Sequence, residues 1–264
     1  MAEEERLSSM KAQVYKDPRP KEYFDRFHER SRKRDPDPVY EIVRSCTTAV
    51  AYGFFRMRPI AAELVPSTGP VILAPNHFSF FDHFFLAAAL RRKVRFMAKS
   101  QMFKPPLQFI YDHGGVFPVR RGMRDEESFT TAKTILRRDG VVAMYCEGGR
   151  SRTGELSEQA KPGIGRLALE SGAAIVPVAI HGSAKVRNWK KLEFPKVDIL
   201  YGDPFRFEAV GEPSRDQQQL AADQIFDEIK QLYARVGELG RKGVVRDWRL
   251  ERRSRRSGAA APAA

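Results

Sequence analysis

Short apolar segments alternate with amphipathic ones between residues 70 and 205, and this alternation restricts the possible folds of the chain more than any other feature. The apolar segments have the length and β-branched character of buried strands, and the amphipathic segments repeat their apolar residues at helical spacing. The pattern is typical of an α/β domain with a mixed, largely parallel sheet flanked by helices. The predicted strands are 71–74, 94–98, 115–119, 141–146, 175–180 and 197–201, and the predicted helices between them are 82–90, 125–138 and 164–171.

Polar residues follow three of these strands directly. His77, Arg120 and Glu147 each lie just past the end of a predicted strand. Because ligands of α/β folds bind at the carboxyl ends of the strands, we expect these three residues to share one edge of the sheet. The sequence therefore predicts a single site there.

A histidine and a carboxylate lie five positions apart in the first of these segments, at His77 and Asp82. Asp82 falls near the start of a predicted helix, where a carboxylate is favoured. If Asp82 accepts a hydrogen bond from one ring nitrogen, the other nitrogen is left to accept a proton, as in the base and orienting residue of a catalytic triad. A substrate hydroxyl would then serve as the nucleophile. Taken alone, such a pair is more often structural than catalytic.

The next two segments carry arginines. Arg120 and Arg121 end the strand after Gly114, and a guanidinium group there can bind a phosphate through two hydrogen bonds, although exposed arginines are common at strand ends. The segment 147–151 reads Glu-Gly-Gly-Arg-Ser, and its glycines allow a ligand to approach the backbone closely. Arg150 offers a second anion contact, while Glu147 suits either a ligand hydroxyl or an arginine. The alternative is an ordinary polar turn.

Several classes of site are not indicated. The chain has neither a phosphate-binding Walker loop nor the Gly-x-Ser-x-Gly turn of serine hydrolases. Its two cysteines, Cys46 and Cys146, belong to no metal-binding or disulfide pattern, which favours a reducing, cytosolic compartment. Pro177 interrupts an apolar strand, so that strand is predicted to lie at an edge, to bulge, or to be kinked within the core.

The composition is strongly basic. Lys and Arg number 46 against 33 Asp and Glu, which gives a net charge of +13 and favours polyanionic partners such as nucleic acid, an anionic lipid surface or a phosphorylated substrate. No apolar run reaches the length of about 18–20 residues needed to cross a bilayer. We therefore expect a protein that is cytoplasmic and peripheral, lying on the inner face of the cell membrane without spanning it.

Four regions are predicted along the chain. Residues 1–36 form a charged, mobile arm with one short helix near 21–30, and residues 37–58 form an amphipathic helix with Asp37 as its N-cap. That helix suits either a membrane interface or packing on the core. Residues 59–238 form the main domain, and residues 239–264 form a basic, disordered tail that suits an anionic bilayer or bulk solvent.

Four segments, in order, resemble motifs of the glycerolipid acyltransferase family, especially the lysophosphatidate (1-acylglycerol-3-phosphate) acyltransferases. The resemblance covers about residues 59–204. The motif Asn-His-x-Ser-x-x-Asp is matched by Asn76, His77, Ser79 and Asp82, and Gly-x-x-Phe-x-x-Arg by Gly114, Phe117 and Arg120. Glu-Gly-Thr-Arg-Ser is matched by Glu147, Gly148, Arg150 and Ser151, with Gly149 replacing the threonine, and the apolar block around a proline by Val176, Pro177 and Val178.

The resemblance implies a glycerol-3-phosphate acyltransferase-like fold and a specific reaction. His77 would be the general base that deprotonates the acceptor hydroxyl, and Asp82 would orient it. The acyl donor would be acyl-CoA or acyl-carrier protein, the acceptor lysophosphatidic acid and the product phosphatidic acid, with no cofactor or metal. The implied substrate-binding residues are Asn76, Ser79, Phe117, Arg120, Glu147, Gly148, Gly149, Arg150, Ser151 and Pro177.

Two alternatives remain open at this point. An acyltransferase of the same fold could act on glycerol-3-phosphate, a lyso-ornithine lipid or a glycosylated phospholipid. A non-catalytic module could use the positive charge to bind anionic lipid or nucleic acid. Nucleic acid is disfavoured because the chain lacks an aromatic-basic RNA motif and zinc-finger spacing.

Overall fold

The computed structural model describes residues 17–121 and 125–258, and seven strands form one sheet within these ranges. The strands are β1 (Arg58–Ile60), β2 (Val71–Pro75), β3 (Val94–Lys99), β4 (Phe117–Val119), β5 (Val141–Ala143), β6 (Ala174–His181) and β7 (Asp198–Tyr201). Their order across the sheet is β1-β7-β6-β2-β5-β3-β4. The predicted mixed, largely parallel sheet is confirmed. Strand β1 was not predicted, because three residues that include a proline are too short to show a pattern.

The direction of the strands determines which residues share an edge of the sheet. Strands β2, β3, β4, β5 and β6 are parallel, whereas β7 pairs with β6 in the antiparallel sense and β1 pairs in parallel with β7. The carboxyl ends of the five parallel strands therefore lie at the same edge as the first residues of β1 and β7. Arg58 is paired with Asp198 at this edge, and Asp198 is also paired with His181.

Seven α-helices accompany the sheet in the described part of the chain. They are α1 (Glu22–Lys33), α2 (Pro38–Gly53), α3 (Asp82–Ala89), α4 (Leu107–His113), α5 (Glu126–Arg137), α6 (Pro162–Ser171) and α7 (Arg215–Gly258). The capping signals in the sequence are realised at two of them. Asp37 accepts a hydrogen bond from the amide of Val39 before α2, and Asp125 accepts one from Ser128 before α5.

The sheet lies between two apolar layers. Side chains alternate along β2, so Val71 and Leu73 face one layer and Ile72 and Ala74 face the other. The first layer is covered by α2, α3 and the second half of α7, and the other by α5, α6 and the first half of α7. Full burial of each large aliphatic side chain here contributes about 1.5–3 kcal/mol, so these layers fix the position of the strand ends.

The described part of the predicted mobile arm is packed on the domain, which corrects that prediction. Phe24 and Phe27 of α1 are buried, and the ring of Phe27 lies 5.0 Å from that of Phe103. Arg19 donates to Asp17 and to the backbone carbonyl of Ser100. Two phenylalanines three positions apart form an apolar stripe that the surrounding charges obscured. Residues 1–16 of the predicted arm lie outside the described residues.

The predicted disordered tail is largely helical. Gly240 has φ +61° and ψ 172°, which interrupts α7, and the helix then continues to Gly258. Val244 and Trp248 are buried in the first apolar layer, and Arg241 donates to Asp198 at 2.5 Å. Burial of these apolar residues explains why the segment is ordered despite its charge. Residues 259–264 of the predicted tail lie outside the described residues.

Helix α2 packs on the core with one face and leaves other side chains exposed. Tyr40 and Ala51 pack into the core, whereas Ile42, Tyr52 and Phe54 are exposed. The helix ends at Gly53, before the predicted limit of residue 58. Within the described ranges, no helix has the length and apolar character required to cross a bilayer.

Candidate active site

His77 and Asp82 meet at the carboxyl end of β2. The strand ends at Pro75, a short loop follows, and Asp82 is the first residue of α3. Asp82 Oδ2 lies 2.8 Å from His77 Nδ1, and the Asp82 side chain is fully buried while that of His77 is 12 % exposed. The pair therefore has the hydrogen bond that the sequence predicts, and the imidazole retains access to solvent.

The protonation state of His77 suits a base. A carboxylate only accepts hydrogen bonds, so the proton of the neutral imidazole is assigned to Nδ1 and the lone pair to Nε2. Burial lowers the pKa of His77 below 6.5, an effect that Asp82 opposes and that Arg150 and Arg121 reinforce. The ring is therefore neutral at pH 7 and able to accept a proton at Nε2.

Tyr145 holds the imidazole from one face. Its ring is stacked on that of His77, with centroids 3.8 Å apart and an interplanar angle of 16°. The buried hydroxyl has no hydrogen-bond partner among the described residues, and burial raises the pKa of Tyr145 well above 10. The sequence did not indicate this residue, because the predicted strand extended to residue 146. In the structure β5 ends at Ala143, and Tyr145 lies in the loop that follows.

His77 opens into a cleft lined by two chemically different kinds of side chain. The cleft has a volume of about 90 Å³ and lies at the carboxyl ends of β2, β3 and β5, beside the segment that leads into β4. Three of the lining residues are cationic: Lys99, Arg121 and Arg150. Most of the others are apolar or aromatic: Phe80, Phe96, Met97, Ala98, Met102, Tyr111 and Val116. A base thus shares one cleft with apolar side chains and a group of cations.

The three cations influence one another. The pKa of Lys99 is lowered mainly by burial and further by the charges of Arg150 and Arg121. Such mutual repulsion shows that positive charge is concentrated in a partly desolvated place, where an anionic group would be stabilised.

Asn76, Ser79 and Phe117 do not line the cleft, contrary to their predicted role in substrate binding. Asn76 is buried, donates to the carbonyl of Ile180 at 3.1 Å and accepts from its amide at 2.7 Å, so it joins β2 to β6. The Ser79 hydroxyl accepts from the Phe81 amide. Phe117 is fully buried in the apolar layer of α5 and α6. These residues shape the loop and the core.

Arg121, rather than the predicted Arg120, reaches the cleft. The Arg120 amide donates to Asp125 Oδ2 at 2.6 Å, and its guanidinium donates to the carbonyl of Arg19 at 3.4 Å. Arg19, in the segment that precedes α1 and packs on the domain, therefore lies next to Arg120. Arg121 lines the cleft with His77. The motif resemblance selected Arg120, and the sequence did not reveal its contact with Arg19, because that residue was assigned to a mobile arm.

The segment 147–151 supports the histidine loop and contributes one side chain to the cleft. Glu147 is buried, accepts from the His77 amide at 3.0 Å and accepts from the Ser157 hydroxyl at 3.2 Å. Burial raises the pKa of Glu147 to about 7, although these two hydrogen bonds act in the opposite direction. The Ser151 amide donates to the His77 carbonyl at 2.8 Å. Only Arg150 of this segment lines the cleft.

The glycines and the proline of the predicted site also lie outside the cleft lining. Gly148 has φ +67°, and a Cβ atom there would lie 3.0 Å from Lys161 Cγ, which explains the need for glycine. Gly149 is half-buried beside Arg150 and does not line the cleft. Pro177 is buried in β6 opposite Ala74, so it packs in the sheet and not in the cleft.

Two further residues near the histidine were not predicted. Arg187, in a 3-10 helix at Ser183–Lys191, donates to the Phe78 carbonyl at 2.7 Å and to the Arg152 carbonyl at 3.0 Å, so it joins the two loops of the site. His83 lines the cleft, and burial lowers its pKa to about 3. Neither position follows from spacing in the sequence. No cluster of metal-ligating side chains occurs in residues 17–121 and 125–258.

Comparisons with known proteins agree with this geometry. The Acyltransferase family model matches residues 57–181, which include every motif of the site from His77 to Pro177. The chain is 27% identical over 139 residues to the chloroplastic 1-acyl-sn-glycerol-3-phosphate acyltransferase LPAT1 of Arabidopsis thaliana. That match covers 51% of this chain and 38% of the relative, so the chain spans less than half of the relative's length.

The fold is also found in a solved structure. The 1-acyl-sn-glycerophosphate acyltransferase PlsC of Thermotoga maritima superimposes with a TM-score of 0.59 at 19% identity. The superposition covers 81% of this chain and 88% of that one. The likeness therefore extends beyond the motifs to most of the sheet and helices.

Proposed function

We propose that this chain, which belongs to the acyltransferase family, transfers a fatty acyl group from a thioester to the free hydroxyl of lysophosphatidic acid. The product would be phosphatidic acid. The observation that carries the proposal is that His77 lines one cleft together with apolar side chains and the three cations Lys99, Arg121 and Arg150. A reacting hydroxyl, an acyl chain and a phosphate match these three kinds of group in turn.

His77 acts as general base in the proposed reaction. Nε2 takes the proton of the acceptor hydroxyl while the hydroxyl oxygen attacks the thioester carbonyl carbon, and Asp82 stabilises the imidazolium that forms. The tetrahedral intermediate then expels the thiolate, which receives the proton from His77 and leaves as a thiol. One ester bond forms and one thioester bond breaks. The activated thioester, acyl-CoA or acyl-carrier protein, is the only co-substrate, and the step needs no metal or cofactor.

In the proposed reaction the cations bind and position the acceptor. Arginine binds phosphate through two parallel hydrogen bonds, and charge-assisted bonds of this kind are about twice as strong as neutral ones. Arg121 and Arg150 lie in the same cleft as the imidazole. A phosphate bound there keeps the glycerol hydroxyl near His77, which favours lysophosphatidic acid over acceptors that lack phosphate.

The lipid acceptor implies that the enzyme works at a membrane surface. Leu107 and Phe109 of α4 are 50% and 56% exposed, and Tyr111 of the same helix lines the cleft. Phe54 at the end of α2 is 56% exposed. Apolar side chains next to the cleft suit contact with the acyl region of a bilayer, and the net charge of +13 suits the anionic inner face of the cell membrane.

The test is thiol release from palmitoyl-CoA in the presence of liposomes, with and without lysophosphatidic acid. Wild type is compared with His77→Ala and with His181→Ala, which removes a partly buried imidazole at the end of β6 that does not line the cleft. Glycerol-3-phosphate and a lyso-ornithine lipid replace the acceptor in parallel reactions.

Release that requires both lysophosphatidic acid and His77, and that survives in His181→Ala, supports the proposal. Release that depends on His77 but prefers an acceptor without phosphate contradicts the assignment of the acceptor. Equal release from wild type and His77→Ala contradicts the assignment of the base. If palmitoyl-CoA gives no release, the same reactions are repeated with palmitoyl-acyl-carrier protein as donor.

A further inference from the structure

The C-terminal half of α7 forms a second concave surface, separate from the cleft. We propose that this surface, here called the cationic groove, binds the headgroups of anionic phospholipids. The groove has a volume of about 500 Å³. Its cations are Arg58, Arg241, Lys242, Arg246, Arg249 and Arg253.

The basic residues after Gly240 divide into two stripes along the helix. One stripe faces the domain, where Val244 and Trp248 are buried. The arginines of this stripe are paired with acidic residues of the domain: Arg241 with Asp198, Arg252 with Glu63 and Arg255 with Asp203. This stripe attaches the helix to the domain, so the remaining cations are held in a fixed arrangement.

The second stripe faces outward and includes Lys242, Arg246, Arg249 and Arg253. The spacing of these residues places them on one side of the helix, over about 16 Å at 1.5 Å per residue. All four are exposed. No acidic partner of Lys242, Arg249 or Arg253 occurs in residues 17–121 and 125–258, and Arg246 contacts only its neighbour Asp247 at 3.5 Å. A row of cations without strong acidic partners attracts anions.

One end of the cationic groove, at Arg58 and Arg241, lies at the same edge of the sheet as the histidine loop. The helix then runs toward the opposite edge, because Arg252 pairs with Glu63 just past β1 and Arg255 with Asp203 just past β7. Arg58 begins β1, whose direction is opposite to that of β2, so Arg58 lies at the edge to which His77 belongs. Three strand spacings separate β1 from β2, which corresponds to about 14 Å across the sheet. A bilayer surface that contacts this end of the groove would therefore also be close to the cleft.

The side chains between the cations favour a lipid surface over nucleic acid. Val245 lines the groove, and Leu250 does so while remaining 58% exposed. Cations interleaved with exposed aliphatic residues on a helix are typical of interfacial helices and of anionic lipid binding. Single-stranded nucleic acid requires exposed aromatic rings for stacking, and the aromatic residue of this segment, Trp248, is only 9% exposed.

The inference rests on the proposed function only because that function places the enzyme at a membrane surface. The groove itself has no part in the chemical step. It is tested by sedimentation of the full chain with vesicles of phosphatidylcholine alone and of phosphatidylcholine with phosphatidylglycerol, without any substrate. The variant is Arg249→Ala/Arg253→Ala. Both side chains are exposed and neither is paired within the described residues, and alanine favours the helix, so the fold is preserved.

The matched control is Arg91→Ala/Arg137→Ala. It removes the same charge from two exposed arginines before β3 and β5, which do not line the groove. Each basic residue near an anionic surface contributes about 1 kcal/mol, so the groove variant is expected to bind anionic vesicles about 30-fold more weakly, and the control much less so. Arg249→Lys/Arg253→Lys, which keeps the charge, is expected to retain most of the binding.

Equal losses in the groove variant and the control would overturn the proposal, because net charge alone would then explain the binding. Undiminished binding by the groove variant would also overturn it. Binding of a single-stranded oligonucleotide or an acidic carrier protein that needs Arg249 and Arg253, without binding to vesicles, would identify a different ligand. Acyl transfer to a soluble, short-chain acceptor is measured on the same samples, so failure of the groove and failure of the proposed reaction are distinguished.

Discussion

Asp82 binds His77 with the same carboxylate oxygen that closes the loop between them. Oδ2 lies 2.8 Å from His77 Nδ1 and also accepts from the amides of Phe78 and Ser79, each at 2.8 Å. The hydrogen bond to the imidazole and the turn that brings the two residues together therefore depend on one buried atom. The arrangement explains how two residues five positions apart in the sequence form this hydrogen bond within one short loop.

Asp82→Asn is expected to be the most damaging conservative substitution in the loop. An asparagine amide cannot accept these three hydrogen bonds through its nitrogen, and if that nitrogen faces His77 it donates to Nδ1 and selects the wrong tautomer. Such a change lowers turnover by about 10⁴ in a Ser-His-Asp triad. The value of kcat is measured for the variant at pH 7, with circular dichroism to confirm the fold. A loss of less than tenfold would show that Asp82 does not orient the base.

Tyr145 gives a test that separates stacking from hydrogen bonding. Tyr145→Phe keeps the ring on His77 and removes a hydroxyl that has no partner among the described residues, so its kcat is expected to stay within about threefold of wild type. Tyr145→Leu removes the stacked ring and is expected to lower kcat by tenfold or more, because the imidazole is then held on one side only. A large loss in Tyr145→Phe would instead assign the hydroxyl a role toward the substrate.

The sequence predicted contacts between residues that are close in the chain, and it did not predict contacts between distant residues. The pair His77 and Asp82 is local, and the strands have clear periodicity, so both were predicted correctly. The sequence did not predict that Arg120 and Asn76 lie outside the cleft, because their contacts with Arg19 and Ile180 join distant parts of the chain. Tyr145 was missed because the predicted strand extended past it, whereas β5 ends at Ala143 in the structure. Motif position therefore predicted the hydrogen-bonded pair but not which neighbouring side chains face the cleft.

The two neighbouring arginines are expected to respond differently to substitution. Arg121→Ala removes a cation from the cleft and is expected to raise the KM for lysophosphatidic acid by about tenfold or more, in line with the loss of a hydrogen bond to a charged group. Arg120→Ala is the matched control, and its KM for the acceptor is expected to change by less than threefold. Initial rates at varied acceptor concentration decide between the two. A larger effect at Arg120 would show that its guanidinium leaves Arg19 and contacts the substrate.

The pH dependence of kcat/KM reports the state of His77 in the free enzyme. The base must be neutral, and burial lowers the pKa of His77 below 6.5. Activity is therefore expected to persist at pH 6.5 and to fall only at more acidic pH. Rates are measured between pH 5 and pH 8 at low acceptor concentration, where kcat/KM governs the rate. A midpoint above 6.5 would mean that the carboxylate of Asp82 outweighs the burial of the imidazole.

Glu147 predicts how the stability of the fold depends on pH. Burial raises the pKa of Glu147 from 4.5 to about 7, so between these values the folded chain keeps a proton that the unfolded chain has lost. The unfolded state binds fewer protons in that range, and the free energy of unfolding therefore falls as the pH rises from 4.5 to 7, by on the order of 3 kcal/mol from this group.

Glu147→Gln isolates that contribution. The glutamine oxygen can still accept from the His77 amide at the position of Oε1, and its amide group does not titrate. The free energy of unfolding, obtained from urea titrations at pH 5 and pH 7, is expected to fall less with pH in the variant than in wild type. Because all other titrating groups are shared, the difference between the two slopes belongs to Glu147. Identical slopes would mean that the carboxyl group is ionised in the folded chain throughout this range, and that the hydrogen bonds from His77 and Ser157 outweigh its burial.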